Sequence, residues 1–219
     1  MRLFTKLLDL IYPPRCIFCH CLLDSGTICE TCAASLPVLD REARQQSFDG
    51  IRTCSSLFPY EGNIRESLLR YKFHGLSFYG EDYALLMLLH FTLEETECDL
   101  ISWVPLSRRR LRQRGYDQAR LLAQRLSEYL GLPCERVLKK VKNVAPQSRT
   151  GGPEARKKNI SGAYRLARKA DVRGKTVLLV DDIVTTGSTL SECAAVLREA
   201  GAAEVKALTV ARTKTDRSD

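Results

Sequence analysis

The segment Val177-Leu-Leu-Val-Asp-Asp-Ile-Val-Thr-Thr-Gly-Ser-Thr189 constrains this chain more than any other stretch. Residues 175–180 form a near-continuous run of β-branched residues and leucine, the pattern of a central parallel strand buried on both faces. Two acids follow, Asp181 and Asp182, and then Thr185-Thr-Gly-Ser-Thr189 opens a helix over residues 188–200 that Gly201 closes. Such a strand delivers the acids to the C-terminal edge of a sheet, where open α/β sheets bind ligands. Gly187 allows close backbone approach, and the exposed N–H groups of a helix start favour an anion. The hydroxyls of Thr185, Thr186, Ser188 and Thr189 add neutral donors. Two carboxylates suit no pure phosphate site. They fit a ligand whose other end is a sugar with vicinal hydroxyls, alone or with a divalent metal. Helix capping explains one or two of these residues, not the run.

The flanking pattern extends the same layout. Strands are expected at residues 100–104, 136–141 and Glu204–Arg212, with an amphipathic helix over 116–130 ended by Gly131 and Pro133. Repeated strand–helix units imply a parallel sheet flanked by helices, an α/β fold. Upstream, residues 55–60 read as a strand whose Pro59 suggests an edge. Helices are expected over 64–73 and Tyr79–Leu93. Residues 83–91 are the best apolar run, too short to span a membrane, and read as a buried helix. Residues 40–47 read as a linker or short exposed helix, and the polar tail from 213 as frayed. Residues 142–161 make a basic loop with Pro146, Pro153 and a Gly151-Gly152 pair, long enough to be functional or mobile. The first eleven residues resemble a secretion signal superficially, but Lys6 and Asp9 interrupt the apolar run and Pro-Pro-Arg-Cys follows it. They read as an amphipathic helix docking on its own domain, and the protein as cytoplasmic.

The formal net charge of +8 hides an asymmetry: residues 101–175 carry 20 Lys/Arg against 5 Asp/Glu. A basic middle suggests an anionic ligand, either a nucleic acid or a small polyphosphate. Five arginines stand between positions 108 and 114, directly after Val104-Pro105 at a strand end. At helical spacing they cover several faces, and guanidinium forks suit phosphate oxygens.

Nine cysteines, an odd number, argue against a pure disulfide framework. Cys16, Cys19, Cys29 and Cys32 form C-x2-C-x9-C-x2-C, four thiolates at tetrahedral reach and a structural zinc (Zn2+) pattern with no open position. His20 and Cys21 are alternates. Cys54, Cys98, Cys134 and Cys193 read as reduced thiols, with Cys193 poorly placed to be a nucleophile. The organisation expected is a zinc module with its leading helix over residues 1–45 and an α/β domain over 46–219.

Residues 177–189 resemble the signature of type I phosphoribosyltransferases, position for position. That resemblance implies binding of phosphoribosyl pyrophosphate (PRPP) with Mg2+. Asp181 and Asp182 would take the ribose hydroxyls as catalytic residues; Thr185, Thr186, Gly187, Ser188 and Thr189 would take the 5′-phosphate. Purine-salvage members often carry aspartate where this chain has Thr185, and threonine cannot serve as a carboxylate base. Val-Pro-Leu, the arginines and Arg114-Gly-Tyr-Asp-Gln118 resemble ComF-type competence proteins, as do Gln147, Arg156, Asn159 and Gly162-Ala-Tyr164. Leu69-Arg-Tyr-Lys72 is similar to a further block of that family, and the leading zinc knuckle to its arrangement. Departures are Tyr116-Asp117 for Phe-Asn, Val144 for a threonine and Lys140 for an arginine. The resemblance implies a pyrophosphate loop at Leu106, Ser107, Arg108 and Arg109, with Arg112 and Arg114 as further anion contacts. It implies a closing loop carrying Gln147, Arg156 and Asn159. It also implies a link to DNA uptake, with phosphoribosyl transfer to an unnamed acceptor. The alternative is single-stranded DNA binding with the PRPP site regulatory or inactive, alongside proteins of the competence machinery; a third reading is a phosphoribosyltransferase of nucleotide metabolism.

Overall fold

A computed structural model describes residues 13–94, 97–142 and 162–214. The expected leading helix, the closing loop with Gln147, Arg156 and Asn159, and the last residues of the tail lie outside them.

The elements run α1 (Glu30–Ala34), α2 (Arg41–Arg44), β1 (Gln45–Phe48), β2 (Ile51–Pro59), α3 (Gly62–Phe73), α4 (Tyr79–Leu93) and β3 (Leu100–Trp103). They continue as α5 (Arg108–Arg114), α6 (Gln118–Leu130), β4 (Leu138–Lys140), β5 (Tyr164–Leu166), β6 (Thr176–Val184), α7 (Ser188–Glu199) and β7 (Glu204–Arg212). One five-stranded sheet has the order β1-β2-β7-β6-β3, and β4 and β5 form a separate two-stranded ribbon. The pairs β2–β7, β7–β6 and β6–β3 are parallel; β1 joins antiparallel. The sheet is therefore mixed, a parallel body with one antiparallel edge strand.

Strand alternation divides the core in two. Leu178 and Val180 of β6 point to one face, with Ile101, Trp103, Leu208 and Val210. Val177 and Leu179 point to the other, with Leu100, Val205 and Ala207. Helices α3, α4 and α6 cover the first face through Leu68, Tyr71, Tyr83, Met87, Leu122 and Leu126. Helix α7 and the β4–β5 ribbon cover the second through Leu190, Cys193, Leu197, Leu138 and Tyr164. Cys16, Ile17, Phe18 and Cys32 belong to the first face's core, so the cysteine module packs directly on the sheet domain.

Several elements depart from the sequence expectation. Within residues 136–141 a strand forms at Leu138–Lys140, but in the side ribbon rather than the main sheet. β6 runs on through Asp181 and Asp182 to Val184, because β7 keeps pairing with it as far as Arg212. The acids therefore sit inside the strand and not beyond its end. Strand β1 occupies part of the expected linker and pairs only with residues 51–55, leaving the Pro59 half of β2 with a strand on one side. The apolar run in α4 is buried on one face only: Leu85 and Leu89 are 46% and 54% exposed.

Candidate functional site

Strand β3 ends at Trp103 opposite Val180 while β6 runs on to Val184, and the chain beyond β3 and the last residues of β6 build two walls of a cleft of about 190 Å3. On the β3 side, Val104-Pro105-Leu106 leads into α5. Asp117 fixes this turn twice: its carboxylate accepts from the Leu106 N–H at 3.1 Å and caps α6 through the Arg120 N–H at 3.4 Å. Burial raises the Asp117 carboxyl above its ordinary range, against the lowering pull of those two N–H groups. Ser107 caps α5 by accepting from the Arg110 N–H at 3.3 Å, and Gly115 ends that helix in the left-handed region at φ 81°.

That cap sets the phase of the arginine run. Arg110 and Arg114, one helical turn apart, line the cleft. Arg108, Arg109 and Arg112 are exposed. Arg114 donates to Gln118 Oε1 at 2.9 Å and lies over the Phe73 ring at 4.8 Å. Burial lowers its guanidinium below the ordinary value. From the side ribbon Lys140 enters the cleft, donating to the Tyr164 hydroxyl at 2.8 Å; burial, then Arg110, lowers its ammonium.

On the β6 side, Asp181 and Asp182 line the same cleft with Thr189. Lys72, at the end of α3, contacts Asp182 at 3.0 Å. Two bonds pin the backbone there: the Tyr116 hydroxyl donates to the Tyr71 carbonyl, and Gln118 Nε2 donates to the Lys72 carbonyl at 3.4 Å. Burial, with the Asp182 charge second, pushes Asp181 up to about 8. The Asp182 N–H donates to its Oδ1 at 2.8 Å.

The loop that follows turns at Gly187, φ 72°, which a side chain could not occupy. A Cβ there would lie 2.1 Å from the Phe48 ring, so β1 is pressed against the loop. Thr186 and Ser188 share a 2.9 Å hydrogen bond and face a neighbouring depression of about 410 Å3 bounded by Phe48, Asp49 and Glu192. Thr185 is exposed. Of the residues singled out in the sequence, the structure thus brings together Asp181, Asp182, Thr189, Leu106 and Arg114. Ser107 acts as a helix cap, and Arg108, Arg109 and Arg112 face away. Sequence reasoning missed Arg110, Lys72, Lys140 and Tyr164 as cleft residues. The signal for Arg110 was present: a serine cap at 107 fixes which arginines share a face.

In the cysteine module, the sulfurs of Cys16, Cys19, Cys29 and Cys32 all lie within 4.8 Å of one another. Cys19 and Cys29 are 3.6 Å apart, close to the ~3.8 Å edge of a tetrahedron with ~2.3 Å zinc–sulfur bonds. The donor set fits zinc. Backbone N–H groups, that of Cys21 foremost, hold Cys19 down to about 6. Cys16 is also low: burial pushes it up, but N–H groups of Cys29, Cys19 and Phe18 outweigh it. Of the alternates, His20 Nδ1 is 2.9 Å from the Tyr79 hydroxyl, and neither it nor Cys21 joins the four-sulfur set. All nine cysteines are free thiols; Cys54 and Cys193 are buried, Cys98 and Cys134 half-buried. Burial raises Cys193 well above its ordinary value, which removes it as a nucleophile.

Residues 114–219 match the Phosphoribosyl transferase domain family, and residues 7–44 match the Double zinc ribbon domain family. Fold and site together define a protein of type I phosphoribosyltransferase fold carrying an N-terminal zinc ribbon. Competence protein F of Haemophilus influenzae is 40% identical over 111 residues, 50% of this chain and 48% of that protein. DNA utilization protein YhgH of Escherichia coli is 38% identical over 116 residues, 52% and 50% of the two chains. Competence protein ComFC of Bacillus subtilis is 29% identical over 171 residues, 74% and 65%. The chain is similar to these competence and DNA-utilization proteins, and its match spans about half the length of the first two of them. Among solved structures, the glutamine PRPP amidotransferase from B. subtilis matches at TM-score 0.40 and 26% identity, over 59% of this chain and 26% of that one. The purine phosphoribosyltransferase from Pyrococcus horikoshii matches at TM-score 0.37 and 23% identity, over 62% and 84%. No helix among the described residues is long and apolar enough to cross a membrane.

Proposed function

We propose that the cleft binds PRPP and that the chain is a ComF-type phosphoribosyltransferase acting in DNA uptake. One observation carries the reading: three acids (Asp117, Asp181 and Asp182) and four cations (Lys72, Arg110, Arg114 and Lys140) converge on a single small cleft beside a helix start. Asp181 and Asp182 accept hydrogen bonds from the ribose hydroxyls, and Lys72 keeps Asp182 oriented. The 5′-phosphate sits on Thr185, Thr186, Gly187, Ser188 and Thr189 at the start of α7. The pyrophosphate end meets Leu106, Ser107 and Arg114, joined by Arg110 and Lys140, with Arg108, Arg109 and Arg112 on the outer side. Gln147, Arg156 and Asn159 lie outside the described residues; by the ComF resemblance they would serve the same ligand by shielding it from water. The bond from the ribose anomeric carbon to pyrophosphate breaks as an acceptor nucleophile bonds to that carbon. The arginines stabilise the charge that gathers on the leaving oxygen. Mg2+, arriving with the pyrophosphate oxygens, would add to that stabilisation. The module over residues 1–45 keeps a structural zinc, and the domain over 46–219 does the chemistry, in the cytoplasm. Calorimetry with PRPP and Mg2+ tests this: binding should appear and be abolished in Asp181→Asn/Asp182→Asn. Equal affinity in that variant overturns the reading.

A second reading, direct binding of single-stranded DNA, draws on the outer face of α5. Arg108, Arg109 and Arg112 are exposed and make no ion pair among the described residues. If phosphates dock there, affinity falls steeply with salt and drops in Arg109→Gln/Arg112→Gln; a flat salt response removes this reading. Contacts with other competence proteins belong to the same reading.

A further inference from the structure

The β4–β5 ribbon has two unlike faces. Inward, Leu138, Lys140 and Tyr164 pack on the core and cleft. Outward, Lys139 and Arg165 stand directly opposite each other in the antiparallel register, both exposed. Like charges placed opposite across a strand pair repel, and a protein chain ordinarily avoids or neutralises that arrangement. Here neither side chain is neutralised: neither makes an ion pair or a side-chain hydrogen bond among the described residues. On one flank Glu192 and Glu199 of α7 share a depression with Arg165, while the ribbon's own segments are uniformly basic. Residues 136–142 and 162–169 contain Arg136, Lys139, Lys140, Lys142, Arg165, Arg168 and Lys169, and no Asp or Glu. The nearest acids in sequence are Glu135, exposed at the ribbon's start, and Asp171, which Arg173 engages at 3.2 Å.

We propose that the outer face of this ribbon is a contact surface for the phosphodiester backbone of a nucleic-acid strand. Opposed cations that repel in the free protein become favourable once a phosphate lies between them, so the unfavourable pair is a feature of a binding face. Val141, 45% exposed, is the one large apolar side chain the ribbon shows to solvent, too little for insertion into a lipid surface. Its aromatic residue, Tyr164, is buried, so bases have nothing to stack on and recognition is through phosphates, blind to sequence. The face is separate from the cleft, and the inference does not depend on the PRPP reading. It is also separate from the exposed side of α5, although both elements flank the cleft through Arg110 and Lys140.

The test is fluorescence anisotropy of a labelled oligothymidylate, and of a duplex of equal length, titrated with the full chain across a salt series. In Lys139→Gln/Arg165→Gln, affinity at low salt should fall by about tenfold or more. The slope of log K against log salt should flatten by roughly 1.4 on single strands, the share of two lost phosphate contacts. Lys139→Glu controls for folding: it turns the repelling pair into an attracting one, so its melting temperature should equal or exceed that of the parent while DNA affinity falls. Wild-type affinity and slope in the double variant overturn the proposal. So does loss of binding to anionic vesicles or a polyglutamate peptide with DNA binding intact. Arg109→Gln/Arg112→Gln separates the α5 face, and an intact PRPP titration in the ribbon variant separates the cleft.

Discussion

The cysteine module and the cleft each gather like groups that repel when charged, and they resolve the conflict differently. In the cleft, Asp181 and Asp182 are adjacent, yet Lys72 already stands 3.0 Å from Asp182 and Arg110, Arg114 and Lys140 line the same space. The protein supplies its own counter-charge, so the site is assembled before any ligand arrives. In the module, four sulfurs converge within 4.8 Å, and the groups around them are backbone N–H donors and other thiols. Only a cation from outside satisfies four thiolates at once. The difference teaches which part of the molecule needs an added cation to hold its fold and which carries its own counter-charge.

Zinc removal should therefore have the largest effect. Structural zinc in small modules binds with roughly 10–16 kcal/mol of apparent free energy near neutral pH. Here Cys16, Ile17 and Phe18 are fully buried, and the Phe18 ring packs edge-on against Phe58 and Tyr83. Arg70 of α3 also donates to the Ile17 and Phe18 carbonyls, so loosening the knuckle disturbs the helix that carries Lys72. Chelation should lower the melting temperature by many degrees, and Cys32→Ala should do the same while losing its own response to chelator. Freshly purified protein without stoichiometric zinc by metal analysis would break the comparison at its first term.

Lys72→Met should come next, because it removes the counter-charge and leaves a buried carboxylate behind. Breaking a fully buried pair costs roughly 3–5 kcal/mol. The Lys72 and Asp182 side chains are 15% and 10% exposed, so about 2–3 kcal/mol is expected. Adding Asp182→Asn to Lys72→Met should restore most of the loss. A double-mutant cycle by denaturant titration measures the coupling, and a value near zero would show that the cleft does not compensate itself.

Much of this was legible in the sequence because the chemistry there is local. The 177–189 run dictates strand, turn and helix start from thirteen neighbouring residues, and all three formed where expected, with the strand extended to Val184. The cysteine spacing likewise named the four converging sulfurs. What stayed hidden depends on contacts between distant segments. Lys72 meets Asp182 across 110 positions, held by Tyr116 and Gln118 from a third segment. The strand expected within 136–141 formed at Leu138–Lys140, but its partner β5 begins 24 residues after Lys140, and no local pattern shows that the pair stands apart from the main sheet. Phe48 against Gly187 is a contact of the same kind: the glycine was legible, and the ring that demands it was not.

The smallest effect, and the finest probe of the comparison, is the pH dependence contributed by Asp181. Its carboxyl is raised from the ordinary 3.8 to about 8, by burial first and the Asp182 charge second, while Lys72 pulls the other way. In the unfolded chain the group ionises near pH 4; in the folded chain it stays protonated until near pH 8. Folding therefore takes up a proton between those values, and Asp181 costs the folded state progressively more as pH rises across that window. Below it both states are protonated and the cost vanishes. Asp181→Asn keeps an oxygen to accept the Asp182 N–H and cannot ionise. Its melting temperature should exceed the parent's at pH 8 and converge with it towards pH 4. Parallel profiles for the two proteins would mean that Asp181 is charged throughout, so that Lys72 and the arginines neutralise both acids. The cleft would then be fully compensated, where the raised Asp181 leaves this acid to be charged only when a ligand makes that favourable.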